Sequence, residues 1–221
     1  TYKTPEKFLK EMIDSVRNQS YENWELCIGD GSVTEDTVKN VVESYQKKDK
    51  RIKMLCLSEN LGIAGNTNAA LSIATGDYIA LLDHDDILAP DALYEVVKWM
   101  NEHYKDETDV IYTDEDKVSF DLKDYFEPHF KSDYNLFRLR DNNYICHIFV
   151  VKKALVNQVG GIRPEFDGSQ DYDFILRCTE QANGICHIPK VLYHWRTHAQ
   201  STADNPISKQ YAYDAGARAI E

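Results

Sequence analysis

Strand-like and helix-like segments alternate through the first half of this chain, and that alternation limits the available folds more than any other feature. Apolar runs at residues 24–29, 52–57, 78–82 and 109–113 have the length of buried strands. Helical spacing lies between them. Thr4 and Pro5 suit a cap and first helical position, with Phe8, Leu9, Met12, Ile13 and Val16 on one face. Val38, Val41, Val42 and Tyr45 form a second stripe, and helices are expected at 65–74 and 90–103. Such an order predicts an α/β fold with a mostly parallel sheet and helices on both faces. In sheets of that kind the loops from strand to helix share one edge, and ligands bind there.

The polar residues fall on that edge. Asp30-Gly31-Ser32, Asn60-Leu61-Gly62, Asp83-His84-Asp85-Asp86 and Thr113-Asp114-Glu115-Asp116 each follow an expected strand. Residues 83–86 bring three carboxylates together at the mouth of an apolar strand, where a hard divalent cation with oxygen ligands would offset their repulsion. A solvated acidic turn leading the next helix is the plainer reading of that cluster alone. The 60–65 loop opens a helix whose free N–H groups favour an anion, and its glycines let a backbone approach closely.

The remaining features bound the function. A net charge of −12 over 221 residues argues against nucleic acid or an anionic membrane as the main partner. Five cysteines without CxxC spacing read as free thiols in a reducing compartment. No apolar run reaches the length of a membrane span. The chain lacks an initiator Met and stops within a helical pattern, so it is expected to be an excerpt of a longer polypeptide. After Asp116 the period breaks: residues 117–144 are aromatic and charged, and a loop that long is usually functional. A strand at 145–151, a short helix at 153–159, a helix from about Gln170, a strand at 191–195 and a final helix from Ser208 follow, giving a more antiparallel second half.

Taken together, Thr1-Tyr2, residues 20–26, Asp30-Gly31-Ser32, Asn60-Leu61-Gly62 through Asn68, Asp83-His84-Asp85-Asp86, Gly160-Gly161, Gln170-Asp171-Tyr172-Asp173 and His194-Trp195-Arg196-Thr197-His198 resemble glycosyltransferase family 2. That family has the GT-A fold and includes bacterial enzymes of cell-surface polysaccharide, such as O-antigen and rhamnose-rich chains. The resemblance implies one GT-A domain over 1–221, with a nucleotide-sugar half (1–116) and an acceptor and catalytic-base half (117–221). It implies inverting transfer from a nucleotide sugar, UDP-linked or alternatively dTDP-linked, to a glycan or glycolipid acceptor, assisted by Mn²⁺ or Mg²⁺. It also implies a cytoplasmic location, free or peripheral at the membrane face, and is compatible with a homo-oligomer.

By the same resemblance Tyr2 lies beside the base and Asp30 reads its edge, while Asn60, Gly62 and Asn68 belong to the nucleotide loop. Asp83 sits near ribose and metal, Asp85 is the direct metal ligand and His198 a further ligand. Asp171 is the general base. As an ordinary Asp of pKa ~3.9, it is expected to be ionised at neutral pH without a large shift.

Three positions depart from the family pattern: Gly29 where a second acid is common, Thr67 where Arg is common, and Gln170 in place of Glu. Plainer readings stand beside these roles. Asp171 suits a helix N-terminus, His198 a polar loop, and His147 and His194 strands with local hydrogen bonds. Asp114, Glu115 and Asp116 either border an acceptor site or are solvated. Tyr125, Phe126, Phe130, Tyr134 and Tyr144 either stack on sugars or pack under the loop. A phosphatase of the haloacid dehalogenase type would carry its Asp-x-Asp on the first core strand, and a sugar-nucleotide pyrophosphorylase an N-terminal Gly-rich motif. An EF-hand opening at Asp83 fails at Leu88 and Tyr94, where glycine and glutamate are required.

Overall fold

A computed structural model describes residues 1–103, 107–197 and 210–221. The first helix, α1 (Glu6–Arg17), buries the expected stripe of Phe8, Leu9, Met12, Ile13 and Val16. The expected Thr4 cap does not form: Pro5 is the N-cap, and the Thr4 hydroxyl is buried without a partner among the described residues. Strand β1 (Leu26–Asp30) and β2 (Ile52–Cys56), joined by α2 (Thr37–Gln46), pair in parallel from Leu26 opposite Ile52 to Asp30 opposite Cys56.

Helix α3 (Gly62–Ile73) starts a turn earlier than its periodicity suggested and lies directly on β1. A Cβ at Gly29 would stand 2.1 Å from the Asn66 carbonyl oxygen, so no side chain fits there. The position where the family often carries a second acid is closed in this chain by the close approach of helix to strand.

β1 and β2 stand as a two-stranded sheet of their own, and from β3 (Tyr78–Ala80) onward a six-stranded sheet is mixed where a mostly parallel one was expected. β3 pairs antiparallel with β7 (Phe149–Lys152), and β7 pairs antiparallel with β5 (Val110–Val118). β5 runs parallel to β8 (Ile185–Arg196) along its whole length, and β4 (Ile87–Leu88) closes the far side antiparallel to β8. The order is β3-β7-β5-β8-β4, with helix α4 (Ala92–Glu102) between β4 and β5. β3 spans three residues, and the strand beside it arrives from the second half, so alternation in the first half could not disclose its partner.

Residues 117–144 hold more structure than their aperiodic sequence suggested. β5 continues through Asp114, Glu115 and Asp116, which are strand residues and not the expected loop. The chain turns where the Ser119 hydroxyl accepts from the Lys123 and Asp124 amides (3.2 and 3.1 Å), then returns as β6 (Tyr125–His129) against β5. A short helix, α5 (Leu136–Asp141), follows, with the Asn135 side chain accepting from the Arg138 amide at 3.0 Å.

Helix α6 (Lys153–Val159) ends at Gly160, whose φ of +82° is the left-handed conformation that glycine adopts without strain. α7 (Gln170–Gln181) and α8 (Gln210–Ile220) complete the order. Two apolar clusters hold the sheet, one under α1, α2 and α4 and the other under α6 and α7.

Candidate active site

The acidic turn between β3 and β4 is held from beneath. Asp86 is buried and accepts from the Tyr193 hydroxyl (2.6 Å) and the Arg196 amide (2.7 Å). Arg196 is itself fully buried. Its Nε donates to the Asp85 carbonyl at 2.6 Å, its Nη1 pairs with Glu11, and its guanidinium lies 4.6 Å from the Phe8 ring centre. Burial pushes the Asp86 carboxyl well above the usual range, and the negative charges of Asp83 and Asp85 push it further.

Above this support the Asp83 side chain is 63% exposed, with Oδ2 at 4.0 Å from His147 Nε2. The His147 ring stacks on Tyr193, centres 4.6 Å apart. One ligand atom each from Asp83, Asp86 and His147 lies within 4.8 Å of the others. Two carboxylates and an imidazole at that spacing fit Mn²⁺ or Mg²⁺, whose charge would offset the acidic crowding. Asp85 is not in this trio. It is half-buried, with Oδ1 3.9 Å from His84 Nδ1. His198, the expected further ligand, lies outside the described residues. His147 enters the site where its sequence suggested a plain strand residue; the strand proper begins at Phe149, which leaves residue 147 in the loop leading into it.

Asp171 stands in the first turn of α7, on the wall of a cleft that it shares with Asp83, His147, Cys146, Thr67 and Gln170. Its Oδ2 accepts from the Asn143 amide group at 2.9 Å. Burial raises its pKa, His147 opposes that rise, and Asp83 adds to it. The carboxyl expected to act without a large shift is moved upward by its enclosure in the cleft, which makes Asp171 a stronger base than a surface Asp.

The nucleotide loops differ in kind. Asp30 is buried and accepts from the Thr1 hydroxyl (3.0 Å) and the Ser32 amide (3.1 Å), while Tyr2 stays exposed beside it. Asn60 Oδ1 accepts from the Gly62 amide (3.2 Å) and from Asn66 (2.9 Å). Asn68 exchanges two hydrogen bonds with the Ile162 backbone, at 2.7 and 3.0 Å. The start of α3 does face an anion, but that anion is Asp167 of the chain itself, which accepts from the amides of Ile63 (3.2 Å) and Ala64 (2.9 Å). Gly62 has φ +76°, and a Cβ there would lie 2.4 Å from Asp167 Oδ2. Asp167 escaped sequence reasoning because it lies about a hundred residues away and no local spacing links it to α3.

The glycosyl transferase family 2 profile matches residues 1–160. The O-antigen biosynthesis protein RfbC of Myxococcus xanthus is 33% identical over 97% of this chain. The chain spans only 17% of that protein and 24% of another curated relative. The crystal structure of S. aureus TarS 1–349 in complex with UDP-GlcNAc superposes with a TM-score of 0.73 at 21% identity, covering 95% of this chain and 60% of that one. Mannosyltransferase PcManGT from Pyrobaculum calidifontis, solved with GDP-Man and Mn²⁺, does so with a TM-score of 0.66 at 18% identity, covering 91% and 56%. The fold these structures share with the chain is GT-A. Among the described residues no helix is long and apolar enough to cross a membrane.

Proposed function

The chain belongs to glycosyl transferase family 2, and from that premise we propose that it moves a sugar from a nucleoside-diphosphate donor to a hydroxyl of a growing glycan, with inversion at the anomeric carbon. The observation that carries this reading is one cleft wall presenting both the exposed Asp83 carboxylate and the enclosed Asp171 carboxylate.

In this proposal Asp171 takes the proton from the acceptor hydroxyl as its oxygen attacks the anomeric carbon. The bond from that carbon to the phosphate oxygen breaks, and its electron pair leaves with the nucleoside diphosphate. Asp83, Asp86 and His147 would hold Mn²⁺ or Mg²⁺, with Asp85 and His198 as the further candidates that the family pattern offers. The ion supplies positive charge against the charge growing on the leaving diphosphate, so the leaving group needs no protein acid. A glycosidase would need a second, protonated carboxyl opposite the first. Tyr2 and Asp30 would lie along the base, and Asn60, Gly62 and Asn68 would shape the loop beneath it. A UDP-sugar is the proposed donor, with a dTDP-sugar as the alternative, and the acceptor a cell-surface glycan or glycolipid met on the cytoplasmic side. Support for the nucleotide class comes from the UDP-GlcNAc and GDP-Man carried by the structural neighbours.

Thermal-shift titration with UDP, dTDP and GDP, each with and without Mn²⁺, tests the proposal. At least one nucleotide should raise the melting temperature in a Mn²⁺-dependent way, and Asp83→Ala should remove that dependence. A flat response to all three nucleotides would overturn it in favour of a non-catalytic module.

A further inference from the structure

A second cleft opens beside the first, between β5, β6 and the end of β8. Its lining is Glu115, Asp116, Lys117, Glu127, His129 and Trp195. The two clefts are neighbours through His147. The His147 amide donates to Glu115 Oε2 at 3.1 Å, and its ring meets Trp195 edge to face with centres 6.1 Å apart. A molecule seated on Trp195 is thus one side chain away from the Asp83 and Asp171 wall.

The chemistry of this lining is selective. An indole offers a flat apolar surface with a polar edge, suited to the C–H face of a sugar ring. Around it are three carboxylates that can accept from hydroxyl groups. The positive groups here are already matched: Lys117 with Glu127 at 2.5 Å, His129 with Glu115 at 3.4 Å, and His194 with Asp116 at 2.5 Å. Lys131 beneath the floor pairs with Glu115 at 3.3 Å and holds the backbone carbonyls of Ile145 and His147. Three carboxylates against Lys117 in the lining and Lys131 beneath it still leave a net negative field, which favours hydroxyl donors and repels anions. Of the aromatics that the sequence left open between sugar stacking and packing, β6 presents Tyr125 and Phe126 to solvent on the rim, while Tyr144 is fully buried.

We propose that this second cleft is the acceptor subsite and that it takes a neutral, hydroxyl-rich glycan end, discriminating against ends that carry a carboxylate or phosphate. The proposal rests on the glycosyl-transfer reading for the word acceptor, but its binding claim stands on this cleft alone.

The test is a glycan array holding neutral glycans and uronic-acid- or phosphate-bearing ones, probed with the wild-type chain, Trp195→Ala and Glu127→Lys. Signals should fall on neutral glycans, and Trp195→Ala should lower them at least tenfold. Glu127 is 66% exposed, so its charge reversal leaves packing intact and should shift signal toward acidic glycans. Should Trp195→Ala misfold, Glu127→Lys decides the matter alone. Binding mainly to acidic glycans, signals unchanged in Glu127→Lys, or no glycan bound would each overturn the proposal. Nucleotide shifts without glycan binding would sink this inference and leave the transfer reading standing. Glycan binding with a flat nucleotide response would do the reverse.

Discussion

Two loops, one after β2 of the two-stranded sheet and one after β3 of the six-stranded sheet, carry similar polar residues and use them in opposite ways. At the start of α3, Asn60, Asn66, Asn68 and Asp167 bond to one another or to backbone, and the helix end receives its anion from within the chain. At the acidic turn, Asp86 and Arg196 are fastened below the surface so that Asp83 stands out toward the cleft. The first loop is satisfied internally and acts as scaffold. The second crowds Asp83 and Asp85 against the buried Asp86, whose carboxyl their charges push upward, and such crowding points to an outside cation. A motif's residue types are therefore a poor guide to ligand contact until their partners are known.

The strongest test of this contrast is Asp171→Asn. If Asp171 acts as the base, the variant should bind nucleotide normally and lose about 10²–10⁴-fold in transfer rate, the usual worth of a positioned base. Stability separates this from a scaffold role. The folded pKa is raised, so the stabilising form is the protonated one. Its contribution is complete below the unfolded value of about 3.9 and lost as pH rises through the folded value. Asparagine imitates the protonated form and can still accept from Asn143. The variant should therefore melt no lower than wild type at pH 7 in EDTA, with any gain vanishing near pH 3. A lower melting point at pH 7 would class Asp171 with the α3 loop. In the wild type, kcat should fall as pH drops through the raised pKa.

Next in size is Arg196→Met, which removes the fastening under the acidic turn. The Asp86 bond to the backbone amide of residue 196 survives, but the Asp85 carbonyl and Glu11 lose their partner. Breaking a buried pair costs about 3–5 kcal/mol. The low end, about 3 kcal/mol by urea denaturation, is expected here because the Glu11 side chain keeps 27% of its exposure. Mn²⁺ affinity should weaken as well. Full stability loss with unchanged Mn²⁺ affinity would mean that the turn holds its shape without Arg196.

What sequence disclosed and what it hid follow from the range of the interactions. The α1 stripe and the residues 83–86 cluster were legible because their signals are local: period 3.6 in one, charge beside an apolar run in the other. The mixed sheet was hidden because β7 reaches β3 from about seventy residues away. The β5–β6 hairpin was hidden because its residues alternate poorly, with carboxylates buried in strand β5 by long-range partners. Asp114 Oδ1 accepts from the Lys131 amide and pairs with His187 Nε2, each at 2.8 Å. His147 and Asp167 carry no motif at all. Each matters only through what the fold brings beside it.

The smallest expected effect probes the scaffold loop itself. Asp167→Ala leaves the Ile63 and Ala64 amides at the start of α3 without their carboxylate, the same loss as removing a helix cap. Such losses cost about 1 kcal/mol, and a melting shift of a few degrees should register it. Nucleotide affinity with Mn²⁺ then decides what the loop is. If α3 is pure scaffold, affinity stays level or slips slightly as the loop loosens. If UDP binds more tightly to Asp167→Ala, the vacated amides are taking phosphate, and Asp167 competes with the donor for the helix end. That outcome would make the two loops alike after all, with the α3 loop holding its own carboxylate where a phosphate could sit.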